Sequence, residues 1–252
     1  MALFTDGDVS SIGDLQGYDT QLLEVANIEG IDVTRKLLLA QDEVAMELET
    51  LLARRVGWCS LNAAPSAGSV VVTAPLKLWH TFLALELVYR DAYCSQLNDR
   101  YAGKRDEFHG MVKWAYEKLI QTGLGIATDP VPRATPPKLV EPCAGSLEDG
   151  TYYVAVGWTN AANAEGMTST PVAVEVSGSS FTVQAALDAA NVRGWNVYAG
   201  RAPGALTLQN SSPLALEHAW VQPDTLLTAG RMAGCGQAPD YLLPVPRTIQ
   251  RG

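Results

Sequence analysis

Residues 129–148 read DPVPRATPPKLVEPCAGSLE and separate two halves of different character. Five of these twenty residues are proline, which lacks a backbone N–H and fixes φ. We therefore expect a linker in extended or polyproline form. Before the linker the apolar residues recur at helical spacing, and after it they alternate. The sequence thus predicts an α+β multidomain protein, with an N-terminal all-α helical bundle followed by a C-terminal all-β sandwich.

The predicted boundaries follow these changes in composition. They are a helical domain over 1–126, a proline-rich linker over 127–148, a β-sandwich over 149–236 and an extended C-terminal arm over 237–252.

The clearest helix in the first half runs from Asp32 to about Arg55. The Asp32 carboxylate can cap its N-terminus by accepting a backbone N–H of the first turn. Apolar residues at steps of three, four or seven give the helix one apolar stripe. These residues are Val33, Leu37, Val44, Leu48 and Leu51. We expect the stripe to face a protein core.

Two further helices flank a glycine. The run from Leu76 to Tyr93 is apolar almost all round, which predicts a buried central helix. Thr73 is its expected N-cap, and Pro75 suits its first turn because the missing N–H is harmless there. Gly103 is expected to end this region before a fourth helix, which stops at Gly123. A shorter helix is expected from Thr20 to Gly30.

The second half predicts six or seven short strands. GTYYVAVGWTN, from Gly150, alternates strictly, with Tyr152, Val154, Val156 and Trp158 on one face. AANAEG then reads as a hairpin-like turn. Further alternating segments begin at Thr170, Ser180 and Gly194 and lie near Leu206 and His218. Short strands at this spacing predict a β-sandwich.

The final segment, APDYLLPVPRTIQRG, contains three prolines and offers no obvious partner strand. Two interpretations are open. The segment is disordered, or it docks Tyr241, Leu242, Leu243 and Ile249 onto another chain as an inter-subunit arm.

The net charge of −9 lies entirely in the first fifth of the chain. Residues 1–53 hold 11 acids and 2 bases, whereas residues 54–252 hold 16 of each. This balance argues against a broad basic surface that binds nucleic acid. The acids that cover the long helix are Asp42, Glu43, Glu47 and Glu49. They form either a solvated face or a surface placed near a polyanion or a basic partner.

The sequence also argues against several other classes of protein. It has no apolar run of the ~20 residues that span a bilayer and no secretory signal at its start. Cys59, Cys94, Cys143 and Cys235 lack metal-ligand spacing and predict free thiols in a reducing compartment. No hydrolase or phosphate-binding motif is present, and His80 is expected to be a packed or hydrogen-bonded core residue. We therefore expect no enzymatic activity, no metal and no cofactor.

Two stretches of the helical half resemble head–tail connector (adaptor) proteins of tailed bacteriophages. They are LFTDGDVSSIGDLQGYDTQLLEVANIEGIDV at 3–33 and LALELVYRDAYCSQLNDRYAGKRDEFHGMVKWAYEKLIQTGLGI at 83–126. The most distinctive part runs from Asn98 to Tyr101 and from Lys104 to Phe108. In the second half, GTYYVAVGWTNAANAEGMTSTP and GWNVYAGRAPGALTLQN resemble a fibronectin type III or immunoglobulin-like module, although immunoglobulin cysteines are absent.

The resemblance implies a structural virion protein of the neck between capsid and tail, assembled in the host cytoplasm. Such adaptors form rings, usually twelvefold, beneath the portal protein, and they contact the next tail or neck protein. DNA passes through the ring without specific binding. Asp42, Glu43, Glu47 and Glu49 are then candidate channel-facing acids, because carboxylates repel phosphates. No membrane partner is implied.

Two other classes compete with this interpretation. The sandwich could recognise a host surface or a glycan, which exposed loop aromatics would favour. Trp158, Trp195 and Trp220 all lie in predicted strands, however, where core packing is the more common use. A cell-wall hydrolase would need a paired-carboxylate or metal constellation, and the sequence offers none above background.

Overall fold

The computed structural model describes residues 1–56, 65–96, 99–186 and 191–245. The chain divides into two compact units. The helical unit comprises Gly7–Thr128 and the C-terminal segment that begins at Pro239, and the β unit comprises Met1–Asp6 and Asp129–Ala238. Helices therefore fill the first half and antiparallel sheets the second, which confirms the α+β class.

Several helix ends of the helical unit lie at signals visible in the sequence. The described helices are α1 Ile12–Gln16, α2 Leu22–Glu29, α3 Val33–Val56, α4 Ala74–Gln96 and α5 Ala102–Thr122. The Asp32 carboxylate accepts the N–H of Arg35 at 3.1 Å, so it caps α3 as predicted. Gly30 ends α2 with a φ of +67°, a left-handed conformation that suits glycine.

The α4 helix forms the centre of this unit. Ten of its apolar side chains are buried, and it packs against α1, α2, α3 and α5. The apolar stripe of α3 is buried at Val33, Val44, Leu48 and Leu51, as its spacing predicts, whereas Leu37 is half-buried. The prediction of a buried central helix is confirmed.

Two details at helix ends differ from the predictions. The Thr73 hydroxyl precedes α4 but is buried without a hydrogen-bond partner among the described residues, so it provides no side-chain cap. Gly103 lies inside the first turn of α5 and does not separate two helices. A glycine is tolerated there because the first turn of a helix lacks intrahelical partners for its N–H groups.

The sequence predicts an all-α N-terminal half, and this prediction is wrong because the half also contains strands. Strands β1 Val70–Val71, β2 Leu124–Ile126 and, from the far end of the chain, β10 Tyr241–Leu243 form an antiparallel sheet in the order β1-β2-β10. Strands of two or three residues are too short to show alternation. Their pairing with one another places them in a sheet.

The β unit contains two further antiparallel sheets. Their strands are β3 Leu139–Cys143, β4 Gly150–Thr159, β5 Val172–Val176, β6 Ser180–Gln184, β7 Gly194–Gly200, β8 Thr207–Leu208 and β9 Trp220–Val221. The strand orders are β3-β6-β9 and β5-β4-β7-β8. The predicted inner face of β4 is confirmed, since Tyr152, Val154, Val156 and Trp158 are all buried in one core with Trp195.

The proline-rich segment belongs to the β unit and is not a free linker. Val131, Ala134 and Leu147 are buried in its core, and β3 pairs with β6 over five residues. Pro142 lies opposite Phe181 in that pairing. A proline is tolerated there because β3 is the edge strand of its sheet, where one side needs no N–H donor.

His80 is buried, as predicted, and bonded at both ring nitrogens. Its Nδ1 lies 3.0 Å from the Ser10 hydroxyl, and its Nε2 lies 3.2 Å from the carbonyl oxygen of Leu37. Burial lowers the pKa of this imidazole below its usual value. The neutral ring therefore links the N-terminal segment, α3 and α4 within the helical unit.

We expect the helical unit to lose stability as the pH falls from about 7 to about 5, below the ordinary histidine pKa of about 6.5. The pKa of His80 is lower in the folded state than in the unfolded state, so the unfolded chain takes up the proton first. The His80 contribution is complete above about pH 6.5 and decreases below it, by at most about 1.4 kcal/mol per pH unit. Urea unfolding at several pH values measures this slope.

A His80→Gln variant keeps hydrogen-bonding capacity but cannot titrate, so its slope over this range should be smaller. The control is His218→Gln, which replaces an exposed histidine of the β unit. Equal slopes in the wild type and the His80→Gln variant would contradict the expectation.

Candidate functional surfaces

The acids of α3 are separated by the structure into two groups. Asp42, Glu43 and Glu49 are exposed, on the side of the helix opposite its buried stripe. Glu47 is half-buried, and its carboxylate accepts a hydrogen bond from the Tyr116 hydroxyl at 2.7 Å. Three of the four predicted acids therefore share an outward face, whereas the fourth is used to join α3 to α5.

The same outward face of α3 carries three large apolar side chains. Leu38, Leu39 and Met46 are 53%, 40% and 62% exposed. Steps of three, four and three residues from Leu39 through Asp42 and Met46 to Glu49 place these positions on one side of the helix. We call Leu38, Leu39, Asp42, Glu43, Met46 and Glu49 the α3 outward face. It is a mixed acidic and apolar surface.

A second exposed apolar surface surrounds Phe82 of α4. The Tyr18 ring meets the buried Phe82 ring edge-on at 4.8 Å, and the Trp114 ring lies 6.5 Å from it. Tyr18 and Trp114 are nevertheless 47% and 49% exposed. Sequence reasoning missed this pair. The available signal was that Trp114 falls outside the apolar stripe of α5, which is buried at Phe108, Ala115 and Leu119.

The predicted C-terminal arm has a partner strand in its own chain, so the expectation that it lacks one is wrong. Tyr241, Leu242 and Leu243 pair with Ile126, Gly125 and Leu124 of β2. Leu243 is buried, whereas Tyr241 and Leu242 are 41% and 47% exposed at the edge of the sheet. Ile249 lies outside the described residues. Contact of Tyr241 and Leu242 with a neighbouring chain stays a prediction.

Two glycines allow the C-terminal segment to lie close to β2 and to the end of α5. A Cβ at Gly125 would lie 2.8 Å from Thr73 Cγ2 and 3.1 Å from Pro239 Cβ. Gly123 has a φ of +93° and lies against the backbone of Leu243. Gly123, at the end of α5, and Gly125, within β2, thus leave the space in which the C-terminal strand lies.

In the β unit, Glu165 is the centre of a polar cluster. Its carboxylate accepts hydrogen bonds from Asn196 Nδ2 at 2.5 Å and from the Tyr198 hydroxyl at 2.6 Å, and it pairs with Arg231 at 2.5 Å. Burial, followed by the bond to Glu165, raises the pKa of Tyr198. Asn196, Tyr198 and Arg231 all contact the Glu165 carboxylate, so we assign the cluster a structural role. It joins the turn after β4 to β7. Gly157 leaves the space that the carboxylate occupies.

A cavity of about 490 Å³ opens elsewhere in the β unit. At its rim the Arg201 guanidinium lies over the Tyr152 ring at 5.1 Å and pairs with Glu148 at 2.9 Å. Asp224 lines it and accepts the N–H of Ser146 at 2.9 Å. The remaining lining is mainly apolar and includes Leu226. The cavity lining therefore combines charged groups of both signs with a mainly apolar surface.

Within the residues that the structure describes, no group of three or more histidine, cysteine or acidic side chains is placed to hold a metal ion. Cys94, Cys143 and Cys235 are free thiols, and Cys59 lies outside the described residues. Among the described helices, none is long and apolar enough to cross a membrane.

Comparison with the models of known protein families finds no match to this chain, and comparison with curated proteins finds no significant relative.

Proposed function

We propose that this chain is a structural virion protein, a ring-forming head–tail adaptor that lies under the portal, extends the DNA channel and links the capsid to the tail. The proposal starts from the resemblance of residues 1–126 to phage connector proteins. It includes the neck as location, and the portal and the next tail protein as partners.

The main support is the exposure of apolar side chains on the helical unit. Among the described residues of this unit, nine large apolar residues are at least 40% exposed in the single chain. They are Tyr18, Leu23, Ile28, Leu38, Leu39, Met46, Trp114, Tyr241 and Leu242. Exposed apolar side chains that cluster on particular elements are typical of interaction surfaces. A closed ring needs two different surfaces on each subunit, because its interfaces are heterologous.

The charge of the chain is compatible with a DNA conduit. Non-specific affinity for DNA depends on contacts between basic side chains and phosphates. The exposed carboxylates of Asp42, Glu43 and Glu49 would weaken such contacts if they face a channel. Glu47 is the weakest candidate of the four, since it is engaged by Tyr116.

For the β unit we propose an immunoglobulin-like or fibronectin-like sandwich. Its two sheets contribute to one buried core, with Val183 from one sheet and Val154 and Val197 from the other. Such a module on a virion protein is an accessory domain. Its strand lengths and its buried Trp158 and Trp195 support this assignment.

Assembly with the cognate portal protein tests the adaptor proposal. We expect mass photometry and negative-stain microscopy of the mixture to show a ring of defined symmetry, twelvefold if it follows the connector pattern. A DNA-binding titration at physiological salt should show no measurable affinity for duplex DNA. A chain that stays monomeric even with portal protein present would overturn the proposal.

The second candidate is a virion-surface module that recognises a host surface or a glycan. The observation in its favour is the cavity lined by Arg201, Glu148 and Asp224, because polyhydroxylated ligands need both donors and acceptors beside apolar surface. The buried Trp158 and Trp195 cannot serve as exposed sugar platforms. Binding of the isolated chain to a glycan array, abolished by Asp224→Asn, would favour this candidate.

A further inference from the structure

The α3 outward face has no covering element within the described part of the chain. It combines three exposed apolar side chains with the carboxylates of Asp42, Glu43 and Glu49. Arg35 lies near the N-terminal end of this face. Its single positive charge is outnumbered by the three carboxylates, so the face carries a net negative charge. The parts of Leu38 and Met46 that are exposed to water contribute no hydrophobic stabilisation to the single chain, because such stabilisation comes from buried apolar area. A partner for this face must therefore be apolar at its centre and basic around it.

The C-terminal half of α5 has these properties. Trp114 is half-exposed at its centre, with Lys113 and Lys118 on either side and Glu117 between them. The net charge of these residues is positive. Gly110, one turn before Trp114, has open space where a Cβ would lie. Glycine inside a helix costs about 1 kcal/mol relative to alanine, and no described residue lies close enough to Gly110 to explain this cost.

We propose, on the basis of the ring assembly proposed above, that the α3 outward face of one copy docks against the Trp114 surface of α5 in a second copy. Met46 and Leu39 pack against Trp114 over the notch at Gly110. The acids at 42, 43 and 49 meet Lys113 and Lys118 of the second copy, so in this arrangement they lie in the subunit interface and replace the channel-facing position considered above. Thioether and aromatic groups attract one another, and opposite charges around an apolar centre set the register of an interface.

A second copy fits better than an unrelated protein because one chain carries both complementary surfaces. Both α3 and α5 pack against α4, and each keeps large apolar side chains exposed. A surface that binds a different surface on the next copy generates a ring when the rotation closes. The docking surfaces thus supply the heterologous contact that a ring requires.

Charge reversal tests the pairing directly. An acid-reversed chain carries Asp42→Lys and Glu43→Lys, and a base-reversed chain carries Lys113→Glu and Lys118→Glu. Each alone should weaken assembly by about tenfold or more, measured by analytical ultracentrifugation. A chain with all four changes should assemble again, and a mixture of the two reversed chains should form alternating rings.

Carbodiimide cross-linking keeps the test decisive even if assembly is weak. This reagent joins a carboxylate to a lysine amine in direct contact, with loss of water to the reagent. In cross-linked dimers, mass spectrometry should find amides that join the segment containing 42–49 to the segment containing 113–118. Gly110→Gln should block docking by filling the notch, whereas Gly103→Gln, at another open glycine of α5, should not.

The outcomes separate the docking surfaces from the adaptor function. Rings that form equally well in both reversed chains, or four changes that fail to restore assembly, would overturn the pairing and leave the adaptor proposal standing. A wild-type chain that gives neither oligomers nor cross-linked dimers would also overturn the pairing. Rings that depend on these residues but do not bind portal protein would support the pairing and contradict the adaptor function.

Discussion

Deleting the chain from Pro239 onward should lower the free energy of unfolding of the helical unit by about 3–5 kcal/mol. The deletion removes the β10 strand, which pairs with β2, and the buried side chain of Leu243. It also removes two hydrogen bonds of Asp240. The N–H of Asp240 donates to the carbonyl of Ile126 at 2.9 Å, and its carboxylate accepts the N–H of Thr128 at 2.7 Å.

The matched control is a chain that ends at Val245, which keeps β10 and removes only residues outside the described part. Urea unfolding followed by helical ellipticity measures the helical unit, because all the described helices belong to it. Leu243→Ala should reproduce about 2–3 kcal/mol of the loss. If the chain truncated before Pro239 unfolds at the same urea concentration as the control, β10 is not part of the folded unit in solution.

This result also changes how an inter-subunit arm can be tested. Removing residues 238–252 would have seemed a harmless way to ask whether the C-terminus joins neighbouring subunits. Because β10 belongs to the sheet of its own helical unit, failure of such a chain to assemble would reflect lost folding. Substitution of the exposed Tyr241 and Leu242 is the cleaner test.

Replacing Trp195 with alanine should cost the β unit about 3–5 kcal/mol. The side chain is fully buried, and its indole N–H donates to the carbonyl of Ala215 at 3.0 Å. The variant loses both the apolar contact and the hydrogen bond, and a cavity remains in the core. Calorimetry or guanidinium unfolding of the whole chain measures the loss.

Trp158 provides an internal comparison, since it lies directly opposite Trp195 on the neighbouring strand and is 2% exposed. Its indole N–H is buried without a partner among the described residues. Trp195→Phe removes a formed hydrogen bond, whereas Trp158→Phe removes an unpaired donor. The first change should therefore cost about 1–3 kcal/mol more than the second. Equal costs would mean that the two N–H groups have similar surroundings in solution.

Features of the fold that depend on neighbouring residues were predictable. Asp32 as a cap, Gly30 and Gly123 as helix ends, and the buried face of β4 follow from local hydrogen bonding and from periods of 3.6 and 2. The burial of His80 follows from its place in an apolar run. All four acids on α3 were expected on the surface because they lie outside the apolar stripe of the helix, and three of them are exposed.

Pairings between distant segments were not predictable in this way. β2 and β10 have three residues each and no periodicity, and their partners lie more than 110 residues apart in the sequence. The segment at 129–148 shows five prolines, which indicate an extended backbone but not the neighbour against which it packs. Trp114 is an apolar residue on the outward side of a helix, and only the folded surface reveals that Tyr18 lies with it around Phe82.

The sequence by itself determined the α+β class, the helix ends at Gly30, Asp32 and Gly123, and the inner faces of the long strands, because these depend on local backbone chemistry and on apolar spacing. The tertiary structure alone decided that Met1–Asp6 joins the β unit and that the segment after Pro239 joins the helical unit. It also decided that Glu47 turns inward while Asp42, Glu43 and Glu49 remain outside. These outcomes depend on contacts between residues that are far apart in the sequence. The local spacing of residue types does not specify such contacts.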